Sequence, residues 1–148
     1  MTSLHTLYFV VDRAAHGLRK RADPVLSAAA GLTTAQAAAL RIVVDEGGAT
    51  PGQIAQRLGH RESAATTMVR RLESAGFVRR TPSKHDRRSV VLRATPTGKR
   101  ALGRLLGAFE ELDARVAEVL SKEEQEAMTS GLLRLLEVLH EPRESKER

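Results

Sequence analysis

Apolar side chains recur at every third or fourth position near the start of the chain, which is the spacing of one helical face. They occupy positions 4, 7, 8, 11, 14, 15 and 18 and predict a helix over residues 4–22. We expect Pro24 to kink or end this helix, because proline lacks a backbone N–H and clashes with the preceding turn. Asp23 is then placed to cap a short continuation as far as Gly31.

Capping boxes mark the beginnings of further helices. In this motif a hydroxyl side chain and a Gln or Glu three residues later each satisfy a backbone N–H of the other. The pairs are Thr33 with Gln36, Thr50 with Gln53, and Ser121 with Glu124; Gly59 and Gly76 are stop signals, and Thr95-Pro96 is a further start. These signals predict helices over about 34–46, 51–59, 62–75, 96–120 and 122–140.

Between residues 77 and 95 the pattern changes from helical spacing to two short β-prone runs. Phe77-Val78 and Val90-Val91-Leu92 flank a polar, charged stretch from Thr81 to Ser89, which predicts a β-hairpin. The third and fourth helices have the size and turn of a helix-turn-helix. The predicted fold is therefore mainly α with a small β-hairpin wing, a winged helix-turn-helix with further helices at both ends.

The fourth predicted helix has two distinct sides. At 100° per residue, one side carries Ala65, Met68, Val69 and Leu72, and the other carries Ser63, Thr66, Thr67, Arg70 and Ser74. Hydroxyls and an arginine on an outward face suit a helix in the major groove of duplex DNA, where they can contact base edges or phosphates. The candidate DNA-binding residues here are Ser63, Ala64, Thr66, Thr67 and Arg70. An ordinary amphipathic helix with a polar solvent face fits the same pattern.

The net charge of +6 is concentrated in one segment. Residues 70–93 contain eight basic and two acidic side chains, whereas the rest of the chain holds 16 of each. The predicted hairpin loop places Lys84, Arg87 and Arg88 at a tip that buries nothing, and phosphates or a narrow minor groove would offset their repulsion. Asp86 can pair with Arg87 or Arg88 and hold a guanidinium in an inserting pose, or it forms only a surface ion pair.

Composition excludes several other classes of protein. The chain is 41% hydrophobic and has no cysteine, so we expect a folded core without disulfides or thiolate-bound zinc. No apolar run approaches the roughly 20 residues that span a bilayer, so we expect a soluble, cytoplasmic protein with no membrane partner. The five histidines show no ligand spacing and no catalytic motif is present, so we expect no metal, no cofactor and no enzymatic activity.

Several short motifs occur in a fixed order along the chain. They are Gly31-Leu32-Thr33-Thr34-Ala35-Gln36 with Leu40, Thr50-Pro51 with Ile54-Ala55 and Leu58, Ala65-Thr66, Arg71-Leu72-Glu73, Gly76-Phe77-Val78-Arg79-Arg80, Asp86-Arg87-Arg88, and Thr95-Pro96-Thr97-Gly98. In this combination the chain resembles the MarR (multiple antibiotic resistance) family of transcriptional regulators. The resemblance implies a homodimer that binds a pseudo-palindromic operator, usually as a repressor released by a small ligand. It also implies that Arg88 enters the minor groove and that Asp86 steadies it.

The expected organisation has a DNA-binding part and a dimerisation part. Residues 33–95 form the winged helix-turn-helix DNA-binding domain, residues 1–32 and 96–141 form a helical dimerisation region, and residues 142–148 form a disordered tail. In the last helix Met128, Leu132, Leu135, Leu136 and Leu139 make an apolar stripe. Pairing of the terminal helices of two subunits would bury this stripe and the one at residues 4–18. Packing of the first helix against the last within one chain is the alternative.

The sequence thus predicts a sequence-specific, DNA-binding transcriptional regulator. Its expected partners are a double-stranded DNA operator, a second copy of the chain and a small-molecule effector of unknown identity, for which no residue is assigned. The alternative is a winged-helix module that binds another protein without sequence-specific DNA binding. A concentration of cations on the wing favours DNA.

Overall fold

The computed structural model of the protein describes residues 4–83 and 89–140. Its helices are α1 (Leu4–Ala30), α2 (Thr34–Asp45), α3 (Pro51–Leu58), α4 (Glu62–Ser74), α5 (Pro96–Ala117) and α6 (Lys122–His140), and its strands are β1 (Val78–Pro82) and β2 (Val90–Ala94). The prediction of a mainly helical fold with one antiparallel hairpin is confirmed.

Helix α1 continues through Pro24, so the expected end of the helix at this residue is wrong, while the alternative of a kink stays a prediction. Ala22 and Leu26, on either side of the proline, are both buried. This packing holds the helix together, although a proline inside a helix costs about 3 kcal/mol. The expectation for Asp23 is wrong as well, because its carboxylate does not cap a continuation of α1. It accepts hydrogen bonds from Thr34 at the start of α2.

The capping boxes are confirmed by pairs of reciprocal hydrogen bonds. The backbone N–H of Thr33 donates to Gln36 Oε1 at 2.9 Å, and the N–H of Gln36 donates to Thr33 Oγ1 at 3.3 Å. The corresponding distances are 2.8 and 3.1 Å for Thr50 with Gln53, and 2.8 and 3.2 Å for Ser121 with Glu124. These bonds are local in sequence, which is why short motifs were sufficient to place the helix starts.

The hairpin is joined to the helices at its base. Val78 pairs with Ala94 and Pro82 with Val90. Ala49, between α2 and α3, forms a bridge to Leu92: the Ala49 N–H donates to the Leu92 carbonyl at 3.1 Å, and the Leu92 N–H donates back at 2.9 Å. Strand β2 is therefore fixed to the segment that leads into the helix-turn-helix.

Contacts between residues divide the chain into two compact units, Met1–Phe109 and Glu110–Arg148. The first unit has an aliphatic core, with fully buried Leu26, Leu32, Leu40, Val43, Ile54, Val69, Leu72, Leu92 and Leu105. The second unit contains the end of α5 and all of α6, and every residue from 122 to 139 is exposed or half-buried. The assignment of residues 33–95 to DNA binding and of the flanking segments to dimerisation stays a prediction.

Candidate nucleic-acid interface

The turn between α3 and α4 fixes the orientation of the candidate recognition helix. Gly59 ends α3 with φ 63°, a left-handed conformation that glycine adopts without steric cost. The next residue, His60, donates its backbone N–H to the Ala55 carbonyl at 2.9 Å. Ile54 of α3 and Val69 of α4 are fully buried, so the two helices each present one side to the core and the other side outward.

The outward side of α4 carries most of the residues expected there. Ala65, Val69 and Leu72 are buried, as predicted, and Met68 is half-buried. Exposed side chains on the opposite side are Ser63, Ala64, Thr67, Arg70 and Ser74. Thr66 differs from the expectation because it is half-buried and lies at the edge of the outward side. At 100° per residue it is displaced from the centre of that side toward the buried stripe.

Two hydroxyl groups of α4 are used within the helix. Thr66 Oγ1 donates to the Glu62 carbonyl at 2.9 Å, and Thr67 Oγ1 donates to the Ser63 carbonyl at 3.2 Å. Both bonds follow the i to i−4 pattern that threonine commonly forms in helices. For Ser63 itself, the described part of the chain provides no such side-chain bond. The outward side therefore presents two kinds of hydroxyl group, one that is bonded to the helix backbone and one that, among the described residues, is not.

The N-terminus of α4 has an arginine where a small polar residue would ordinarily cap the helix. Arg61 is the N-cap residue, with φ −67° and ψ 147°, and it forms no side-chain capping bond within residues 4–83 and 89–140. Its carbonyl accepts from the N–H groups of Ala64 and Ala65 at 3.0 and 3.1 Å. An exposed guanidinium beside the positive end of a helix is a favourable environment for a phosphate.

The basic residues around α4 fall into two groups. Arg80 of β1 is paired with Glu73 of α4 at 3.1 Å. By contrast, Arg70, Arg71 and Arg79 are exposed and form no ion pair with any residue that the structure describes. Arg71 was not among the sequence-based candidates. Its position four residues after Thr67 was the available signal, because i and i+4 lie on the same side of a helix.

The predicted wing-tip residues Asp86, Arg87 and Arg88 lie outside the described residues, so their roles stay predictions. The strands that lead to them are ordered by specific bonds. Ser83 donates its N–H to the Ser89 carbonyl at 3.0 Å, and Thr81 Oγ1 donates to the Val91 carbonyl at 3.1 Å. These bonds close the hairpin immediately before the predicted basic tip.

Helix α5 begins against the end of α4. Thr95 Oγ1 donates to the Gly76 carbonyl at 2.6 Å and accepts from the Gly98 N–H at 3.0 Å, so one hydroxyl joins the two segments. Gly98 lies so close to the residue before β1 that a Cβ atom there would be 2.1 Å from the Phe77 carbonyl oxygen. The start of α5 and the end of the helix-turn-helix are therefore held together tightly.

A small cavity lies between α2 and the first part of α5. Its volume is about 190 Å³, and its lining consists of Thr34, Ala37, Ala38, Arg41, Leu102, Leu106 and Phe109. The lining is mostly apolar, with one guanidinium that is paired with Asp45 at 2.7 Å. Typical ligand pockets measure roughly 300–1,000 Å³, so this cavity suits only a small molecule.

Neither a metal cluster nor a single membrane span is found in the described ranges. No three His, Cys, Asp or Glu side chains come together there as a metal site would require. No single helix among those residues is long and apolar enough to cross a membrane. Helices α1 and α2 reach that length and apolarity only when taken together, as a pair bent by 61°.

The winged-helix segment matches a known family. Residues 30–89 match the family model described as the MarR family. This segment is therefore similar to the MarR family. YfiV of Bacillus subtilis (strain 168), an HTH-type transcriptional regulator, is 36% identical over 93 residues, which are 63% of this chain and 58% of YfiV. The matched segment thus spans less than two thirds of that relative.

Solved structures show the same MarR-type fold. The transcriptional regulator BldR from Sulfolobus solfataricus has a TM-score of 0.80 at 24% identity, over 88% of this chain and 92% of BldR. A variant of MarR from E. coli, complexed with operator DNA, has a TM-score of 0.72 at 23% identity, over 90% of this chain and 99% of that one. These relatives are transcriptional regulators rather than enzymes.

Proposed function

We propose that this chain is a regulator of the MarR type that binds DNA sequence-specifically and represses transcription by occupying a pseudo-palindromic operator. The observation that carries the proposal is the outward side of α4, where Ser63, Thr67 and Arg70 are exposed while the opposite side is buried in the core. Such a helix can enter the major groove without unfolding any part of the core. The similarly folded variant of E. coli MarR was solved in complex with operator DNA, which supports DNA as the proposed partner.

Electrostatics supports the same proposal. Arg61, Arg70, Arg71 and Arg79 are exposed on or next to α4, and none of them is neutralised by a carboxylate within the described ranges. Unpaired cations release the counterions of DNA when they bind phosphates, which makes the affinity high at low salt and steeply dependent on salt. In this proposal Arg87 and Arg88 add contacts from the wing, with Asp86 orienting Arg88 for insertion into the minor groove.

The proposed regulator acts as a homodimer. On α1 the exposed apolar side chains include Leu7, Tyr8, Phe9, Val10 and Leu18, and on α6 they include Met128, Leu132, Leu135, Leu136 and Leu139. In the chain by itself both sets are in contact with water, which is unfavourable by about 25 cal/mol for each Å² of apolar surface. A second copy that covers these helices would remove this cost. A two-fold dimer also places two recognition helices about 34 Å apart, on successive major grooves.

The proposal also includes release of the regulator from its operator by a small ligand. The cavity between α2 and α5 adjoins Thr34, which Asp23 of α1 holds, and it also adjoins Leu102 and Leu106 of α5. A ligand that enlarges this cavity would move α2 relative to the start of α5, which is fixed to the end of α4 through Thr95. Binding would thereby favour a different spacing of the recognition helices.

Selection of binding sites from a random duplex library tests the proposal with the full chain. We expect an inverted repeat of about 16 to 20 base pairs whose half-sites are about one helical turn apart. Binding of all sequences with equal affinity would contradict sequence-specific recognition, and absence of DNA binding at low salt would favour a protein-interaction module. A reporter promoter that carries the selected site should lose activity when the protein is expressed. A gain of activity would contradict repression.

Arg88→Ala tests the wing directly. We expect a large loss of operator affinity with an unchanged dimer mass, because one minor-groove cation is removed while the helices are intact. Arg115→Ala is the matched control, since it removes the same charge from α5, where Arg115 lies 3.9 Å from Glu111. Operator affinity of Arg88→Ala equal to that of the control would contradict the role of Arg88.

A further inference from the structure

The hydroxyl groups on the outward side of α4 are not equivalent as hydrogen-bonding groups. A threonine hydroxyl has one hydrogen to donate and two lone pairs that accept. Thr67 Oγ1 lies 3.2 Å from the Ser63 carbonyl oxygen, at a distance where its hydroxyl donates to that carbonyl, while the side chain as a whole is exposed. What Thr67 presents outward is therefore an acceptor oxygen and a methyl group.

The helix backbone keeps Thr67 in this state. In a helix the β-branched threonine side chain is limited mainly to two rotamers, and its back-bond to the i−4 carbonyl selects between them. To donate outward, Thr67 would have to give up the bond to Ser63 and turn its hydroxyl hydrogen away from the helix. Accepting a hydrogen bond requires no such change. The accepting mode is therefore the favoured one at a base edge.

In the major groove, donors and acceptors differ from base to base. Adenine offers a donor at its N6 amino group and cytosine at its N4 amino group, whereas guanine offers only the acceptors N7 and O6. An acceptor such as Thr67 Oγ1 matches the two amino groups and is mismatched to guanine. Arg70 has the opposite character, because a guanidinium only donates and its fork fits guanine O6 and N7.

We propose that Thr67 reads an exocyclic amino group of adenine or cytosine as a hydrogen-bond acceptor, and that contacts to guanine are left to Arg70. This inference rests on the proposed DNA-binding function and assigns the chemistry of its recognition face. Thr66 has no part in it, because Thr66 is half-buried and lies at the edge of the outward side, although its hydroxyl forms the same kind of bond, to the Glu62 carbonyl. Ser63 keeps a hydroxyl that can donate, and its place in the first turn of α4 suits a phosphate.

The test uses the site obtained from the library selection, altered one base at a time. Purine in place of adenine removes the N6 amino group, 2-pyrimidinone in place of cytosine removes the N4 amino group, and 7-deazaguanine removes the N7 acceptor of guanine. Affinities of the full chain and of Thr67→Val are compared for every altered site. Valine keeps the shape of threonine and removes the hydroxyl.

We expect one position in each half-site where loss of the amino group weakens the wild type roughly 10- to 100-fold but changes the affinity of Thr67→Val little. Thr67→Ser, which keeps a hydroxyl, should behave like the wild type there. The 7-deazaguanine substitutions should weaken the wild type and Thr67→Val equally and should lose their effect in Arg70→Ala. Thr129→Val is the matched control, since Thr129 is an exposed threonine on α6.

Two results would overturn the inference. One is a 7-deazaguanine effect that disappears in Thr67→Val, because Thr67 would then donate to guanine. The other is the absence of any position at which Thr67→Val changes the effect of a lost amino group. Both results can be obtained only if the wild type prefers its selected site. If the proposed function itself is wrong, the wild type shows no such preference, so the two kinds of failure are distinguishable.

Discussion

Asp23 Oδ1 accepts two hydrogen bonds from Thr34, one from the hydroxyl at 2.6 Å and one from the backbone N–H at 2.7 Å. Thr34 is the first residue of α2, and its N–H is one of the groups that a helix leaves without an internal partner. The carboxylate of α1 thus caps α2 from a neighbouring helix and places a negative charge at its positive end. This contact fixes the direction in which α2 leaves α1.

The contact predicts a pH-dependent contribution to stability. The hydroxyl and backbone hydrogen bonds from Thr34, in that order, hold the pKa of Asp23 below its ordinary value of 3.8. A group whose pKa is lower in the folded state stabilises the fold above the unfolded value, and this contribution is lost as the pH falls through the folded value. At pH 7, Asp23→Ala should lower the free energy of unfolding by about 1 kcal/mol.

Urea unfolding from pH 7 to pH 3 measures this effect. The difference between wild type and Asp23→Ala should be constant down to about pH 4 and should shrink below it. Asp12→Ala on α1 is the control, since Asp12 is exposed. A difference for Asp23→Ala that stays constant to pH 3 would contradict the role of the charged carboxylate.

The same contact shows which parts of the fold were predictable. Capping boxes such as Thr33 with Gln36 were predicted because both partners lie within four residues. The partner of Asp23 lies 11 residues away, so the sequence around Asp23 could not reveal it. The passage of α1 through Pro24 depends on burial of Ala22 and Leu26, a tertiary effect that outweighs the local preference of proline.

Helical periodicity predicted the candidate site less completely than the fold. It placed Ser63, Thr67 and Arg70 correctly on the outward side of α4. It could not show that the Thr67 hydroxyl lies within hydrogen-bonding distance of the Ser63 carbonyl, because periodicity gives the direction of a side chain but not its hydrogen bonds. Similarly, the run of arginines gave no means of separating Arg79 from Arg80, which differ in the structure by an ion pair to Glu73.

Gly98 and Gly103, both on α5, should respond oppositely to alanine. A Cβ atom at Gly98 would be 2.1 Å from the Phe77 carbonyl oxygen, whereas a Cβ atom at Gly103 would meet no atom of the described residues within 4 Å, apart from its chain neighbours and the backbone of its own helix. Gly98→Ala should therefore lower the free energy of unfolding by about 1–3 kcal/mol, since backbone must move. Gly103→Ala should raise it by up to about 1 kcal/mol, because alanine is the better helix former. Thermal melts of both variants measure these effects. Equal shifts of the melting temperature would contradict the close approach of Gly98 to the Phe77 carbonyl.

Arg79 and Arg80 of β1 should differ in their contribution to DNA binding. Arg79 is exposed without an ion pair among the described residues, and Arg80 is held by Glu73 at 3.1 Å. Arg79→Ala should reduce the slope of log affinity against log salt by about 1.8 for the proposed dimer, because each of its two copies loses one phosphate contact worth about 0.9. For Arg80→Ala we expect a slope close to that of the wild type and a loss of stability of up to about 1 kcal/mol. Salt titrations by fluorescence anisotropy measure both slopes. Identical reductions of the slope in the two variants would show that the ion pair with Glu73 does not keep Arg80 from contacting DNA.

Leu132 on α6 should be required for dimerisation. Its side chain is 39% exposed in the single chain and lies on the same side of the helix as Met128 and Leu135. Leu132→Glu places a charge where a second copy is proposed to pack, and burying an unpaired carboxylate costs several kcal/mol. We therefore expect a monomer mass by light scattering at micromolar concentration.

The matched control for this prediction is Ser130→Glu. Ser130 is an exposed residue of the same helix, rotated by about 160° from Leu132 at 100° per residue. The substitution Ser130→Glu adds the same charge to α6 but should leave the dimer intact. Operator affinity should fall steeply only in Leu132→Glu, since a monomer engages one half-site and loses the gain from binding two linked half-sites. A dimer mass for Leu132→Glu equal to that of Ser130→Glu would contradict the use of this stripe as the interface.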